Sequence, residues 1–295
     1  MKIDVEPGKY VVAVSGGVDS VVLLDLLVKQ PGLQLVVAHF DHGMRVESGE
    51  DRQFVQALAK KYELPFAYAE GQLGTGTSEA VAREARYKFL RKVMRDTKSR
   101  GIITAHHEDD LLETAVINLL RGTGPKGLSS LKDTDDIFRP LLSIPKKEII
   151  TYAKQKKLEW HEDATNADTL YLRNYIRHKL LPRFDAVARN RFRTLIDSAH
   201  ATNTAIDSLI SGQLDIQSSH DILDRRWLIM LPHAVAKEVI ATWLRLHGVR
   251  EFDKKTIERI VVGGKTYVAG KSIDVNAALV IKVSKDGLAL VSRER

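Results

Sequence analysis

The run Ser15-Gly16-Gly17-Val18-Asp19-Ser20 carries the most specific chemistry in this chain of 295 residues. It follows an apolar stretch, Tyr10–Val14, and precedes a helical pattern from Ser20 to Lys29. Strand, glycine turn and helix start together bind phosphate, because unpaired backbone N–H groups and the positive end of the helix dipole face the anion. Two adjacent glycines let the backbone come close to a ligand. Ser15 and Ser20 add hydroxyl groups, and Asp19 can help hold Mg²⁺ at the phosphates. The run lacks a Gly-Lys-Ser/Thr ending and does not fit Gly-x-Gly-x-x-Gly, so neither the β/γ-phosphate loop nor the dinucleotide loop describes it.

Further runs carry ionisable groups. His39-Phe40-Asp41-His42-Gly43-Met44-Arg45 reads equally as a metal site or as a loop packed around a nucleotide, with Arg45 offering a planar fork to phosphate. Within Ser78–Tyr87, Glu79 and Arg83 stand four apart and Arg86 lies near the same face, where an arginine could neutralise an α-phosphate. A solvated ion-paired face fits that helix as well. In Thr104–Thr114 helical spacing puts His106, Asp109, Asp110 and Glu113 on one face. Acids gathered there without counter-charge suit Mg²⁺ or a cationic substrate. Arg121-Gly122-Thr123-Gly124-Pro125-Lys126 reads as a mobile turn bearing two cations, able to close over a phosphorylated substrate. Trp160–Asn166 leads to a basic helix, roughly Leu172–Phe184, in which Arg173 and Arg177 alternate with Tyr171 and Tyr175. Cations with aromatics suit an RNA backbone and an unstacked base.

The elements that would position these groups alternate. Strands are expected at Tyr10–Val14, Leu33–His39, Pro65–Tyr68 and Gly101–Ala105, with helices at Ser20–Lys29, Glu47–Tyr62 and Ser78–Arg95 between them. This predicts an α/β fold with a doubly wound, mostly parallel sheet that binds ligands at the strand C-terminal ends. A helix from Pro145 to Lys157 follows. After residue 185 the texture changes to long helices, Ala186–Leu209 and Pro232–His247, and then a β-rich tail from Lys265. Two domains are expected, residues 1–185 for nucleotide chemistry and a smaller helical α+β domain over 186–295.

The net charge is +7, with 28 Lys/Arg against 26 Asp/Glu in residues 1–185 and 17 against 12 in residues 186–295. The C-terminal part thus has the stronger claim on a polyanion. With no cysteine, disulfides, thiolate zinc sites, Fe–S clusters and cysteine nucleophiles are excluded from this sequence. There is no apolar signal region and no membrane-length apolar run, so a soluble cytoplasmic protein is expected, with no membrane or DNA partner.

SGGxDS after a strand resembles the PP-loop of the ATP pyrophosphatase superfamily. The ordered set SGGVDS, HFDHGMR, EAVAREARY, TAHHEDDLLET, RGTGPKGL, RPLL and DATN…YLRNYIRHKLLP resembles the bacterial tRNA(Ile)-lysidine synthase family over residues 10–185. The resemblance implies ATP and Mg²⁺ as cofactors, and L-lysine and a CAU-anticodon tRNA(Ile) as substrates. The wobble cytidine O2 would attack the ATP α-phosphorus, and the lysine side-chain amine would then displace AMP at C2, changing decoding from AUG to AUA. Asp110 and Glu113 are then the expected lysine-binding residues, with Asp19 or Asp109 near Mg²⁺ and Arg83 at the α-phosphate. Arg121, Lys126, Arg173 and Arg177 are expected at RNA or adenylate. Ser15, Gly16, Gly17, Val18, Asp19, Ser20, His39, His106 and Gly122 are expected at the nucleotide. Longer members of the family carry a further C-terminal domain, and none is expected within these 295 residues. The alternatives are a thiolating tRNA enzyme, an amide-transferring synthetase, and a non-catalytic RNA-binding module that keeps the loop.

Overall fold

A computed structural model describes residues 1–41, 43, 48–71, 79–161, 172–219, 222–249 and 252–293. The chain divides into two compact units, Met1–Ala199 and His200–Arg295. In the first, β1 (Gly8–Ala13), β2 (Leu33–Asp41), β3 (Phe66–Glu70), β4 (Gly101–Ile103) and β5 (Ile137–Phe138) form one parallel sheet in the order β3-β2-β1-β4-β5. The connections are α1 (Val18–Leu27), α2 (Ser48–Lys61), α3 (Glu79–Asp96), and α4 (Glu108–Leu120) with the short α5 (Pro125–Leu128). The strand order reverses between β1 and β4, the place where an open α/β sheet leaves a crevice.

The β1 sequence shows why both sheet faces are covered. Tyr10, Val12 and Val14 pack with α1, whereas Val11 packs with Tyr87, Leu90 and Val93 of α3. Alternate residues point to opposite faces, so a strand apolar at every position must be buried on both sides. The same reasoning fits α1, where eight residues are buried: a helix apolar all round lies inside. It is flanked by α6 (Lys146–Gln155). The first four strands match the expected ones within a few residues. β5 is two residues long, too short for a periodic signal.

Asp25 ties three of these helices together from a site only 4% exposed. It accepts hydrogen bonds from Lys29 Nζ (2.5 Å), Tyr152 Oη (2.8 Å) and Tyr62 Oη (2.9 Å). Burial pushes its carboxyl up, but these three hydrogen bonds outweigh burial and hold it below the ordinary aspartate value. A carboxyl depressed in the folded state stabilises above its unfolded pKa of about 3.9, and that contribution fades as pH falls through the lower folded value. Asp25→Asn is expected to cost about 2–4 kcal/mol at pH 7. Urea unfolding of both proteins at pH 7 and at pH 3 should show the gap narrowing at the lower pH.

The basic segment after residue 171 is three short turns: α7 (Leu172–Tyr175), a wide π-helical turn (Ile176–Leu180) and a 3₁₀ turn (Leu181–Arg183). Pro182 interrupts a regular helix here because it has no amide to donate. The helix α8 (Ala186–Gln217) follows; the boundary expected near 185 falls at its start. The second unit contains a five-stranded antiparallel sheet, β6 (Ser218–Ser219), β7 (Ile222–Asp224), β8 (Ser272–Asp274), β9 (Leu279–Val283) and β10 (Gly287–Ser292), in the order β6-β7-β10-β9-β8. Its core includes Trp243 and Ile240 of α10 (His233–Leu246) and Ile260 of α11 (Lys254–Thr266), with Leu288 of β10. The short α9 (Arg225–Met230) is capped by Asp224, whose side chain accepts from the Trp227 amide. Neither α9 nor α11 was expected from the sequence. No helix among the described residues is long and apolar enough to cross a membrane.

Candidate active site

The Gly-rich run forms the turn expected between β1 and α1. Gly16 has φ +97°, a conformation that side chains disfavour. Gly17 has ordinary extended geometry and stands at the N-cap of α1. Ser20 pins the turn: its hydroxyl donates to the Gly17 carbonyl at 2.9 Å and accepts from the Ser15 and Gly16 amides at 3.2 and 3.3 Å. The hydroxyl expected to reach a ligand thus shapes the loop, while the first-turn amides of α1 lack intrahelical acceptors.

A cavity of about 770 Å³ opens there, at the C-terminal ends of β1, β2 and β4. It brings together Ser15, Gly17, Val18, Asp19, Ser20, His39 and His106 of the expected nucleotide set. Gly16 lies behind the wall, its carbonyl accepting from the His161 amide at 3.0 Å. Gly122 is elsewhere, at the end of α4 with φ +68°. Lys146, Lys154, Trp160, His161, Asp51 and Arg86 also line the cavity. Sequence reasoning assigned no cavity role to Lys146, Lys154 or Asp51. His161 Nδ1 donates to Asp51 Oδ1 at 2.6 Å, and the ring stacks on Phe54. His42, Met44, Arg45, Ser78, Tyr171 and the 162–170 segment lie outside the described residues, as does the Glu79 side chain.

A family model of the PP-loop domain matches residues 2–184, which hold this turn and cavity. The chain belongs to the PP-loop domain family. Among curated relatives, the tRNA(Ile)-lysidine synthase of Nitrosomonas europaea is 35% identical over 81% of this chain and 57% of its own length. That of Thermosipho africanus is 33% identical over 86% of this chain and 62% of its own. The chain therefore spans less than two thirds of either. The solved U34-tRNA thiolase NcsA from Methanococcus maripaludis has a TM-score of 0.56 at 17% identity, over 67% of this chain and 73% of its own. At that identity the likeness establishes the fold alone.

Beside the PP-loop, α4 departs from the sequence reading in two ways. The helix begins at Glu108, and His107 caps it: its side chain accepts from the Asp110 amide while its own amide donates to Asp110 Oδ2 at 3.0 Å. His106 therefore precedes the helix and does not share a helical face with the acids; its Nδ1 pairs with Thr104 Oγ1 at 2.9 Å. Nor do the acids stand without counter-charge. Glu108 pairs with Arg193 (3.1 Å), Asp109 with Arg189 (3.3 Å) and Asp110 with Arg177 (3.1 Å). Glu113, fully buried, takes a two-pronged contact from Arg177, Nε to Oε1 at 2.6 Å and Nη2 to Oε2 at 2.8 Å. A buried carboxylate needs a partner, and a bidentate guanidinium supplies charge and geometry together.

His107 links this cluster to the loop, its Nε2 standing 3.5 Å from Asp110 Oδ2 and 3.7 Å from Asp19 Oδ2. Asp19 itself is held by Lys146 Nζ at 2.5 and 2.6 Å. On α3, Arg83, Arg86 and Arg91 surround the Tyr87 ring, 5.0–5.8 Å from its centroid, and of the three only Arg86 lines the cavity. Burial, followed by the charges of Arg139, Arg83 and Arg86, pushes His106 well below the ordinary histidine value. The neutral His106 imidazole and the Arg86 guanidinium give the cavity a wall suited to an anion.

Among the described residues no group of three His, Cys, Asp or Glu side chains is arranged for a metal. A Mg²⁺ ion held mostly by substrate phosphates needs only one or two carboxylates. Asp19 on the cavity wall fits that role better than Asp109, which is absent from the cavity lining. The Arg121–Lys126 turn is tied to the end of α4 by hydrogen bonds. Thr123 Oγ1 donates to the Asn118 carbonyl at 2.8 Å, and Asn118 Nδ2 to that of Gly127 at 2.7 Å. Arg121 remains exposed at its start, and Arg173 lies close enough to act electrostatically on Glu113.

Proposed function

We propose that the chain ligates free L-lysine to C2 of the wobble cytidine of a CAU-anticodon tRNA(Ile) at the expense of ATP, converting it to lysidine. The carrying observation is the position of His107 between Asp19 of the PP-loop and Asp110 of α4. That position supports reading Asp110 and Glu113 as an amine-binding carboxylate pair beside the nucleotide cavity. The names of the curated relatives support the same reading.

The cytosine O2 forms a bond to the α-phosphorus as the bond to pyrophosphate breaks. The uncharged lysine amine then bonds to C2, AMP leaves with the former O2, and the nitrogen gives up its proton. The free amine has a reference pKa of about 10.4, so a carboxylate that captures the ammonium and accepts its proton is useful. The first-turn amides of α1 orient the phosphates, and Arg83 with Arg86 opposes charge growing on the α-phosphate. Mg²⁺ at Asp19 would neutralise the leaving pyrophosphate. Arg121, Lys126 and Arg173 hold RNA or adenylate in this reading, and residues 186–295 add basic surface for tRNA.

The purified chain, ATP, Mg²⁺, ¹⁴C-lysine and unmodified CAU-anticodon tRNA(Ile) test it directly. Lysine should enter the RNA with one AMP released per lysine. Incorporation without ATP, or none at all, would sink the reading.

A further inference from the structure

The group expected to hold RNA or adenylate, Arg177, stands where the amine substrate would have to bind. We propose that Arg177 sets the order of substrate binding: its guanidinium fills the amine subsite until a phosphate-bearing partner draws it off, so the amine enters last. This rests on the reading of Asp110 and Glu113 as the lysine-binding pair.

All four oxygens of that pair are already accepting. Arg177 takes Glu113 Oε1, Glu113 Oε2 and Asp110 Oδ1, and the His107 amide takes Asp110 Oδ2. Two close carboxylates, one fully buried, repel each other and cannot stand ionised without a cation. The Arg177 guanidinium supplies that cation from the same chain. An alkylammonium offers the same charge and three donors, so it can replace Arg177 but gains little while the guanidinium remains in place.

What would displace the guanidinium follows from its chemistry. A planar fork that grips a carboxylate with two parallel bonds grips a phosphate in the same way. The Arg177 side chain is 30% exposed although its partner Glu113 is sealed, so one part of it faces outward from the cluster. It stands on the wide turn Ile176–Leu180, a helical irregularity common at functional positions. An RNA or adenylate phosphate arriving beside it competes for the fork. Once the fork turns outward, Asp110 and Glu113 are left as a buried anionic pair that recruits the ammonium. One charge serves two ligands, so each must strengthen the binding of the other by the same factor.

The test is lysine affinity of the full chain, by equilibrium dialysis with ¹⁴C-lysine. It is measured alone and with unmodified CAU-anticodon tRNA(Ile) plus an ATP analogue that cannot be cleaved between the α- and β-phosphates. Lysine should bind about tenfold or more tighter in the presence of RNA and analogue. Arg177→Ala should remove that dependence, binding lysine about tenfold tighter than the parent without RNA while turning over poorly. Lysine, but not norleucine, should also raise the melting temperature of this variant. Equal lysine affinity with and without RNA in the parent protein overturns the proposal, and so does a folded Arg177→Ala that binds lysine no tighter. If Arg177→Ala does not fold, the RNA dependence of the parent decides. Failure of the underlying reading looks different: no lysine enters the tRNA under any condition, whereas here incorporation proceeds without the predicted coupling.

Discussion

Glu113→Gln is expected to lower lysine incorporation about 10²–10³-fold while leaving ATP binding at the PP-loop intact. The substitution keeps the shape of the side chain and removes its charge. Glu113 has no exposed surface, and both its oxygens bind Arg177, so a neutral amide takes from the guanidinium the buried one of its two carboxylate partners, leaving Asp110. Breaking a buried ion pair from one side costs about 3–5 kcal/mol, so urea unfolding should shift to lower denaturant as well. Two readouts separate the roles. In the proposed reaction ATP affinity depends on the cavity wall, which Glu113 does not line, whereas lysine transfer depends on the carboxylate. Full incorporation by this variant would remove Glu113 from the amine subsite.

The same residue predicts a pH dependence. Burial pushes the Glu113 carboxyl up, and the hydrogen bond and charge of Arg177 only partly offset it. A raised folded value means that the folded protein holds this proton more tightly than the unfolded chain does. Ionising Glu113 therefore costs folding stability as pH rises, yet capture of an ammonium needs the ionised form. The acid limb of lysine incorporation should accordingly lie above the ordinary glutamate value of about 4.3. A limb at or below that value would assign the titration to another group.

The parts legible in the sequence were those written in local patterns. Tyr10–Val14 and the glycine turn after it announced a strand and a phosphate loop, and the structure places them there. The acids of α4 were legible as residues but not as a charge balance. Their partners Arg177, Arg189 and Arg193 lie in a different helical region, and periodicity within one helix carries no information about which distant cation covers its face. One signal was available: Arg189 and Arg193 are four apart, so they share a helical face near buried Ile196. His106 was misplaced because an α-helix spacing was extended past its start. The residue that ends the extended segment, His107, was a cap, and histidine is an uncommon one. Lys146 was missed for the reason the arginines were, since it reaches Asp19 from the first turn of α6.

Arg225→Ala should unfold residues 200–295 in preference to the PP-loop unit. Arg225 opens α9 with only 8% of its surface exposed, and it serves three carbonyls at once. Nε donates to the Gly264 carbonyl at 2.8 Å, Nη1 to that of Ser284 at 2.9 Å, and Nη2 to that of Tyr267. Gly264 and Tyr267 lie at the C-terminal end of α11, where carbonyls lack intrahelical donors and the helix dipole favours a cation. Ser284 stands between β9 and β10. Truncation leaves three carbonyls at this junction without the guanidinium, at a cost of about 3–5 kcal/mol. A unit of this size has about 5–10 kcal/mol in all, so the loss is a large share of its stability. Hydrogen exchange should show lost protection in α10 and α11 while β1, β2 and α1 stay protected. Because residues 200–295 carry 14 Lys/Arg against 11 Asp/Glu, tRNA binding should also weaken and its salt dependence should flatten. ATP affinity should not change. If protection in α10 and α11 survives the substitution, the guanidinium is not what holds the unit together. If protection is lost but the steep salt response remains, the RNA-binding charge belongs to the PP-loop unit instead, where Arg121, Lys126 and Arg173 would have to supply it.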